Sequence, residues 1–237
     1  MKISFCSTCA QRLHQLKKIW NDNIKTISDY SNSEWVLLNY DGDAAMHKFV
    51  MSKYKSWPKN FVYAKELSGH EWHMSVAKNI AHQLGSGNIL FNLDCDNFIG
   101  SAIKPTIHSF ENGAKVAHLF SGVGRDGTAG RIAIDRELFY SMGGYDESFY
   151  PMAGQDTDIL ARAKALGHKI SDITDTFPVA IKNTKIESVK LCSRYNLAWE
   201  DFSRENKKKI IQNISNKILI ANLEKGMTKP NVEIFRK

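Results

Sequence analysis

The chain has 237 residues, of which 43% are hydrophobic, so it is long enough to bury the core of one α/β domain with or without a small appendage. Its formal net charge of +7 favours an anionic partner, but a nucleotide diphosphate, an anionic membrane surface and nucleic acid all satisfy that charge. No apolar run approaches the roughly 18 residues of a membrane span, and the opening segment returns to basic residues too early for a secretory signal.

Strand-like and helix-like segments alternate along most of the chain. In chain order, strands are predicted over residues 2–8, 34–40, 60–67, 88–94, 115–121, 131–135 and 169–174. Apolar residues recurring every three or four positions predict helices over residues 13–27, 44–55, 72–84 and 157–166. Gly85 and Gly167 are placed to end the last two helices. This alternation predicts a doubly wound, largely parallel sheet flanked by helices, with ligands bound where the strands end.

The sequence becomes more polar and Lys-rich after residue 180. Its apolar positions have the spacing of a helix: Ile210, Ile211, Ile214, Ile218 and Leu223. We interpret residues 1–180 as one domain and 181–237 as a helical appendage packed on it. Lys207, Lys208 and Lys209 beside the isoleucines suggest a peripheral contact with an anionic membrane, against the more common alternative of a solvated helix face. Acidic residues alternate with these lysines and aromatic residues are few, which argues against a nucleic-acid partner.

The segment GNILFNLDCDNFIG, residues 87–100, ends a predicted buried strand in Asp94 and Asp96. On extended backbone, side chains two residues apart point to the same face, and two carboxylates there repel unless a cation offsets them. A Mg²⁺ or Mn²⁺ ion that also binds a diphosphate fits this pattern. The alternative is an ordinary turn, because Asp and Asn suit turns.

A second acidic cluster, Asp156 and Asp158, lies at the first turn of the helix predicted from about residue 157, where the helix dipole favours negative charge. Asp158 precedes Arg162 by four residues, which predicts an exposed helix ion pair and a structural role. Asp156 has no partner at helical spacing, so it is the better candidate for a proton acceptor at the rim of a cleft.

Four segments occur in the order seen in GT-A-fold glycosyltransferases: ISFCSTCAQRLHQL, WVLLNYDGD, HMSVAKNIAHQLGSGNILFNLDCDN and GGYDESF with AGQDTDILARAKALG. The chain resembles glycosyltransferase family 2, and its last motif resembles the β-1,4-galactosyltransferase and polypeptide GalNAc-transferase group. The resemblance covers about three quarters of the chain. It implies a GT-A-type α/β fold and an inverting, metal-dependent enzyme in bacterial surface-glycan synthesis. Such an enzyme would transfer a sugar from a UDP-sugar to the hydroxyl of a glycan, lipid-linked or protein acceptor.

The resemblance also implies roles for residues on the donor side of the site. Thr8 and Arg12 match positions that contact the nucleotide. Asp41 matches the acidic residue that reads the base, with Asp43 as the nearby alternative. His73 matches, more weakly, a residue that binds the donor pyrophosphate or ribose.

The remaining implied roles concern the metal and the chemistry. Asp94 and Asp96 match the D-x-D pair, whose second carboxylate is the ligand of the divalent metal, Mn²⁺ or Mg²⁺. Asp156 matches the general base of the inverting enzymes.

Three departures from the family pattern bear on these roles. The galactosyltransferase-like motif W-G-G-E-D is replaced by residues 152–156, so Met152 stands for the Trp that stacks on an acceptor sugar and Gln155 stands for the Glu. The stretch of residues 173–190 contains no His to serve as a third metal ligand. These departures keep a catalytically silent nucleotide-sugar-binding module as an alternative. A sugar nucleotidyltransferase of related fold is a further alternative, although its Gly-rich basic loop is missing after the first strand.

Two further motifs are typical of other functions, dinucleotide binding and zinc binding, and neither is in the context that such a function requires. The G-x-G-x-x-G formed by residues 122–127 precedes a strand rather than opening a helix, so we interpret it as a loop beside the site and not as a dinucleotide fingerprint. Cys6 and Cys9 form a C-x-x-C, but no second pair exists to complete a zinc site. The four cysteines form no disulfide framework, which predicts a cytoplasmic location. The Lys-rich C-terminal segment adds the expectation of peripheral association at the inner face of the membrane.

Overall fold

The structure is a computed structural model that describes residues 1–120, 127–174, 180–181 and 184–237. Within these residues, eight strands form one sheet: β1 (Ile3–Cys9), β2 (Ser33–Asn39), β3 (Phe61–Glu66), β4 (Ile89–Asn92), β5 (Val116–His118), β6 (Ile132–Asp135), β7 (Ile170–Asp172) and β8 (Val232–Phe235). The strand order is β7-β5-β6-β4-β1-β2-β3-β8.

The centre of the sheet is parallel. Strand β1 lies between β2 and β4 and runs parallel to both, and β3 continues the parallel pairing beyond β2. Strand β6 is antiparallel to β4 and β5, β7 is parallel to β5, and β8 is antiparallel to β3. Every residue of β1, β2 and β4 is buried, as expected for strands covered on both faces, which read as continuous apolar runs. The sequence prediction of a mostly parallel α/β sheet flanked by helices is therefore confirmed.

Helices cover both faces of the sheet. They are α1 (Leu13–Asp29), α2 (Ala44–Ser52), α3 (Met74–Leu84), α4 (Ile103–Glu111), α5 (Arg136–Ser141), α6 (Gln155–Ala165), α7 (Lys185–Val189) and α8 (Trp199–Ser215), with 3₁₀ turns at Tyr54–Ser56 and Lys190–Tyr195. Helices α1 and α4 contribute to one buried cluster with Phe5 of β1. Helices α3, α5 and α6 contribute to a second cluster with Cys6, the next residue of β1. The alternation of side chains along a strand therefore separates the two halves of the core.

The C-terminal region holds one end of the site in place. Asn206 of α8 is fully buried and donates hydrogen bonds to the carbonyl oxygens of Tyr150, Met152 and Ala153, at 3.1, 3.0 and 2.6 Å. These bonds fix the loop that leads into α6. Strand β8, which the sequence did not predict, then adds to the edge of the main sheet beside β3.

The predicted apolar stripe of the C-terminal helix is only partly correct. Ile210 is buried, but Ile211 is 57% exposed. Ile218 and Leu223 lie beyond the end of α8 at Ser215, and Leu223 is 72% exposed. The helix ends earlier than the spacing predicted because Lys217, at a φ of +57°, has left the helical region.

Candidate active site

A cavity of about 380 Å³ opens at the carboxyl ends of the parallel strands. Thr8, near the carboxyl end of β1, lines this cavity. Asp94 and Asp96, in the segment after β4, line it as well. Strands β1 and β4 are adjacent and parallel, so their carboxyl ends meet at the same edge. The cavity therefore lies where an open α/β sheet normally binds its ligand.

Asp94 and Asp96 are held in a tight turn after β4. Asn92 donates a hydrogen bond from Nδ2 to Oδ1 of Asp94, at 3.2 Å, and Asn97 donates to Oδ1 of Asp96, at 2.7 Å. Burial, followed by the charge of Asp94, raises the pKa of Asp96 to about 6. Two carboxylates crowded in this way gain from a bound cation.

The carboxylates fit a hard divalent cation that completes its coordination elsewhere. Among the described residues, no three or more His, Cys, Asp or Glu side chains are grouped to hold a metal ion. Mg²⁺ and Mn²⁺ are commonly bound through one or two carboxylates together with the phosphate oxygens of the substrate. Asp94 and Asp96 supply that number of ligands.

Asp156 reaches the site from the first turn of α6. Gly154, which precedes the helix at a φ of +88°, makes the turn that leads into α6. Oδ1 of Asp156 accepts a hydrogen bond from Nζ of Lys78 at 2.6 Å. Burial raises the pKa of Asp156, and the charge of Lys78 offsets part of that effect.

Lys78 was not identified from the sequence. Its side chain is 2% exposed, and Nζ lies 3.6 Å from Oδ1 of Asp94 as well as 2.6 Å from Asp156. Burial favours the neutral amine, but Asp156 and Asp94 together raise the pKa of Lys78, so it carries a positive charge. Helix α3 was predicted to bury one apolar face, whereas residues 77–82 are all buried. The signal that could have identified Lys78 is a lysine in the middle of a helix that is buried on all sides. The apolar periodicity of α3 alone does not show it.

Asp158 and Arg162 form a pair, as their spacing predicted, but the pair is not exposed. Nε of Arg162 donates to Oδ2 of Asp158 at 2.7 Å, and both side chains are 1% exposed. Arg162 also donates to the carbonyl oxygens of Met142 and Gly144, at 2.9 and 2.7 Å. The exposed-pair prediction was wrong because α6 turns this face toward the 142–144 turn, whose carbonyl groups need donors.

The residues expected to contact the nucleotide fall into two groups. Thr8 and Arg12 line the cavity. Asp41 lies beyond it, where its Oδ2 accepts a hydrogen bond from the backbone N–H of Gln11 at 3.1 Å and so joins the turns after β1 and β2. Asp43 caps α2 by accepting a hydrogen bond from the N–H of Ala45 at 2.8 Å. His73 is turned away, with its Nε2 hydrogen-bonded to the carbonyl oxygen of Phe149 at 2.9 Å.

Met152 and Gln155, which replace the Trp and the Glu of the family motif, are both buried near the site. Met152 is buried in the cavity wall, and two aromatic residues that the sequence analysis did not select, Trp72 and Trp199, line the same cavity. Gln155 is buried and donates a hydrogen bond to the carbonyl oxygen of Tyr150 at 2.8 Å, so it supports the loop rather than facing the cavity. The proposed G-x-G-x-x-G loop lies outside the described residues except for Gly127, which lines the cavity.

The two cysteines of the C-x-x-C motif do not lie together at one site. Cys6 and Cys9 belong to the two different hydrophobic clusters on opposite faces of the sheet. Their thiols therefore cannot bind one metal ion or form one disulfide with each other without unfolding β1.

Solved structures of GT-A-type glycosyltransferases resemble this fold. The S. aureus TarS fragment 1–349 aligns with a TM-score of 0.64 and 15% identity over 95% of this chain and 67% of that chain. The mannosyltransferase PcManGT from Pyrobaculum calidifontis, solved with GDP-Man and Mn²⁺, aligns with a TM-score of 0.61 and 13% identity over 92% of this chain and 72% of that chain. The catalytic domain of Drosophila β1,4-galactosyltransferase 7, solved with xylobiose, aligns with a TM-score of 0.51 and 12% identity over 75% of this chain and 67% of that chain.

These likenesses establish the fold. No protein-family model and no curated protein matches the sequence. The architecture is the GT-A type, as the sequence motifs predicted.

Proposed function

We propose that this protein is an inverting glycosyltransferase that moves a sugar from a nucleotide-diphosphate sugar, a UDP-sugar, to an acceptor hydroxyl. The observation that carries the proposal is the pair Asp94 and Asp96 in a cavity of a GT-A-type sheet, with Asp156 linked to Asp94 through the buried Lys78. Two carboxylates side by side at the carboxyl ends of the strands repel each other, and a bound cation would offset that repulsion.

The donor would occupy the part of the cavity nearest β1. Thr8 and Arg12 would contact the nucleotide, with Asp41 and Asp43 at its outer end. Asp94 and Asp96 would hold Mn²⁺ or Mg²⁺ against the diphosphate. TarS has been solved with UDP and with UDP-GlcNAc, and PcManGT with GDP-Man and Mn²⁺, which supports a donor and a metal of this kind.

The reaction would be a single displacement at the anomeric carbon. The acceptor oxygen forms its bond to that carbon while the bond to the diphosphate oxygen breaks, and the bonding electrons leave with the nucleoside diphosphate. Asp156 receives the proton of the acceptor hydroxyl. When bound, the divalent cation would supply charge stabilisation to the leaving diphosphate.

The acceptor would enter beside Trp72, Met152 and Trp199. Indole rings offer a flat apolar surface with a polar edge, which suits the face of a sugar ring. A glycan, whether free, lipid-linked or attached to a protein, therefore fits this part of the cavity. Surface-glycan synthesis in a bacterium is the biological setting we propose.

Nucleoside diphosphate binding should require a divalent cation. We expect UDP to raise the melting temperature of the protein mainly when Mn²⁺ or Mg²⁺ is present, because Asp94 and Asp96 repel an unaccompanied diphosphate. A ligand at 100 times its dissociation constant adds about 2.7 kcal/mol to the free energy of unfolding. Differential scanning fluorimetry with a panel of nucleoside diphosphates, with and without each cation, measures the effect.

The matched variants are Asp96→Ala and Asp172→Ala. Asp172 lies on β7, outside the cavity, so its replacement should leave the metal-dependent shift intact. Asp96→Ala should abolish that shift. An unchanged shift in Asp96→Ala would disprove the metal-binding role of Asp96, and the lack of a shift with every nucleotide would disprove the proposed donor class.

We also propose that the C-terminal region contacts an anionic membrane. Residues 204–229 contain seven Lys or Arg and only two Asp or Glu. Four apolar side chains of the same region are exposed: Ile211, Ile218, Ile220 and Leu223. Basic side chains around exposed apolar ones suit the headgroup region of a bilayer. None of the helices within the described residues combines the length and hydrophobicity needed to cross a bilayer.

Vesicle co-sedimentation tests this contact. We expect binding to vesicles that contain phosphatidylglycerol and little binding to phosphatidylcholine vesicles, because each basic residue near an anionic surface contributes about 1 kcal/mol. Replacing Lys207 and Lys208 by Gln should weaken the binding, whereas replacing the remote Lys17 and Lys18 should not. Equal binding to the two kinds of vesicle, or none to either, would rule the contact out.

A further inference from the structure

The environment of Lys78 is unusual for a lysine. Its side chain is almost fully buried in the middle of α3, and Nζ lies 5.3 Å from the centre of the Tyr145 ring. An ammonium group removed from water is stable only when anions and hydrogen-bond acceptors surround it. Asp156 at 2.6 Å and Asp94 at 3.6 Å are those anions.

Nζ of Lys78 lies beside Oδ1 of Asp94 and beside Oδ1 of Asp156. The other oxygen atoms of both groups meet at Gly130. A β-carbon added at Gly130 would lie 2.5 Å from Oδ2 of Asp94 and 3.3 Å from Oδ2 of Asp156. Lys78 therefore holds one side of each carboxylate, while the lack of a side chain at residue 130 leaves room for the other side of both.

The two oxygen atoms of the Asp156 carboxylate have different surroundings. Oδ1 of Asp156 accepts the hydrogen bond from the ammonium group, whereas Oδ2 faces Gly130. A carboxylate bound through one oxygen to a buried, rigid partner loses the rotation that would otherwise average its orientation. Lys78 comes from α3 and Asp156 from α6, so the contact also ties together two elements that are separate in the chain.

We propose that Lys78 is the positioning residue of this site: it fixes the orientation of the Asp156 carboxylate and supplies the positive charge that lets Asp94 and Asp156 lie close together. The inference rests on the proposed function, because it takes Asp156 as the proton acceptor. Lys78 acts through the two carboxylates and needs no contact with the substrate.

The variant Lys78→Met removes the charge and keeps most of the side-chain volume. We expect the transfer rate constant kcat to fall about 10²-fold, the usual cost of misplacing a reacting group by about 1 Å. Because the lost effect passes through Asp156, Lys78→Met should cause little further loss in a protein that already carries Asp156→Asn.

A double-mutant cycle on kcat tests the inference, with the wild-type protein, Lys78→Met, Asp156→Asn and the double variant. The matched control is Lys2→Met, which removes another lysine–carboxylate pair, to Glu34 at 2.7 Å, at the opposite end of β1. Lys2→Met should leave kcat unchanged. If Lys78→Met does not fold, Lys78→Gln, which retains an N–H donor without the charge, takes its place in the cycle.

The expected result is strong non-additivity, with the double variant within about threefold of Asp156→Asn. Equal fold losses from Lys78→Met in the two backgrounds, or a wild-type kcat in Lys78→Met, would overturn the positioning role while leaving the proposed function intact. A wild-type kcat in Asp156→Asn would instead overturn the proton-acceptor assignment and this inference with it.

Discussion

Replacing Asp156 by Asn should lower the rate of sugar transfer by about 10²–10⁴-fold, the range expected when a general base is lost. The asparagine keeps the shape of the side chain and an oxygen that can accept the hydrogen bond now made by Lys78. The fold and the affinity for the donor should therefore be retained, so that the loss falls on kcat. Initial rates with an identified acceptor, together with calorimetric titration of the donor, separate these effects.

The comparison variant for this experiment is Asp158→Asn, an acid two residues along the same helix. Asp158 is 1% exposed and cannot reach an acceptor in the cavity. Its folded variant should transfer sugar at nearly the wild-type rate. Near wild-type transfer by Asp156→Asn would show that another group accepts the proton.

The second large effect is on stability. Replacing Asp158 by Ala would leave the guanidinium group of Arg162 buried without its anionic partner. Removing one member of a buried ion pair typically destabilises a protein by about 3–5 kcal/mol. We expect a loss of this size in the free energy of unfolding, measured by urea denaturation followed by circular dichroism.

The control for Asp158→Ala is a substitution in an exposed ion pair of similar sequence spacing. Glu205 of α8 lies 2.9 Å from Nζ of the exposed Lys208, and Glu205→Ala should change the stability little, because exposed pairs are screened by solvent. Equal effects of the two substitutions would contradict the buried environment assigned to Arg162.

The strands that build the centre of the sheet could be predicted because their own residues carry the signal. β2 and β4 are largely apolar runs followed by turn-forming residues, and buried strands of this kind carry their own sequence signal. β1 is also fully buried, although it mixes apolar residues with Ser4, Ser7 and Thr8. The D-x-D pair and Asp156 could be selected for the same reason, since each lies where a local pattern breaks. Their assigned roles remain predictions.

Features that depend on distant contacts could not be predicted. Lys78 and Asp156 are 78 residues apart in the chain, and only the tertiary fold brings them together. The depth of the Asp158–Arg162 pair depends on the carbonyl groups of the 142–144 turn. Strand β8 has a mixed polar sequence that becomes a strand because the edge of β3 offers it hydrogen-bond partners.

We expect this site to cleave the bond between the sugar and the nucleoside diphosphate with inversion at the anomeric carbon. Slow hydrolysis of the donor tests it without a known acceptor, because water then takes the acceptor's place. The protein is mixed at high concentration with Mn²⁺ and each α-linked UDP-sugar in turn, and the anomeric proton of the released sugar is followed by ¹H NMR before mutarotation. We predict that the β-anomer is released first. Release of the α-anomer first would contradict inversion, and binding of UDP without cleavage of any nucleotide sugar would identify a silent binding module instead.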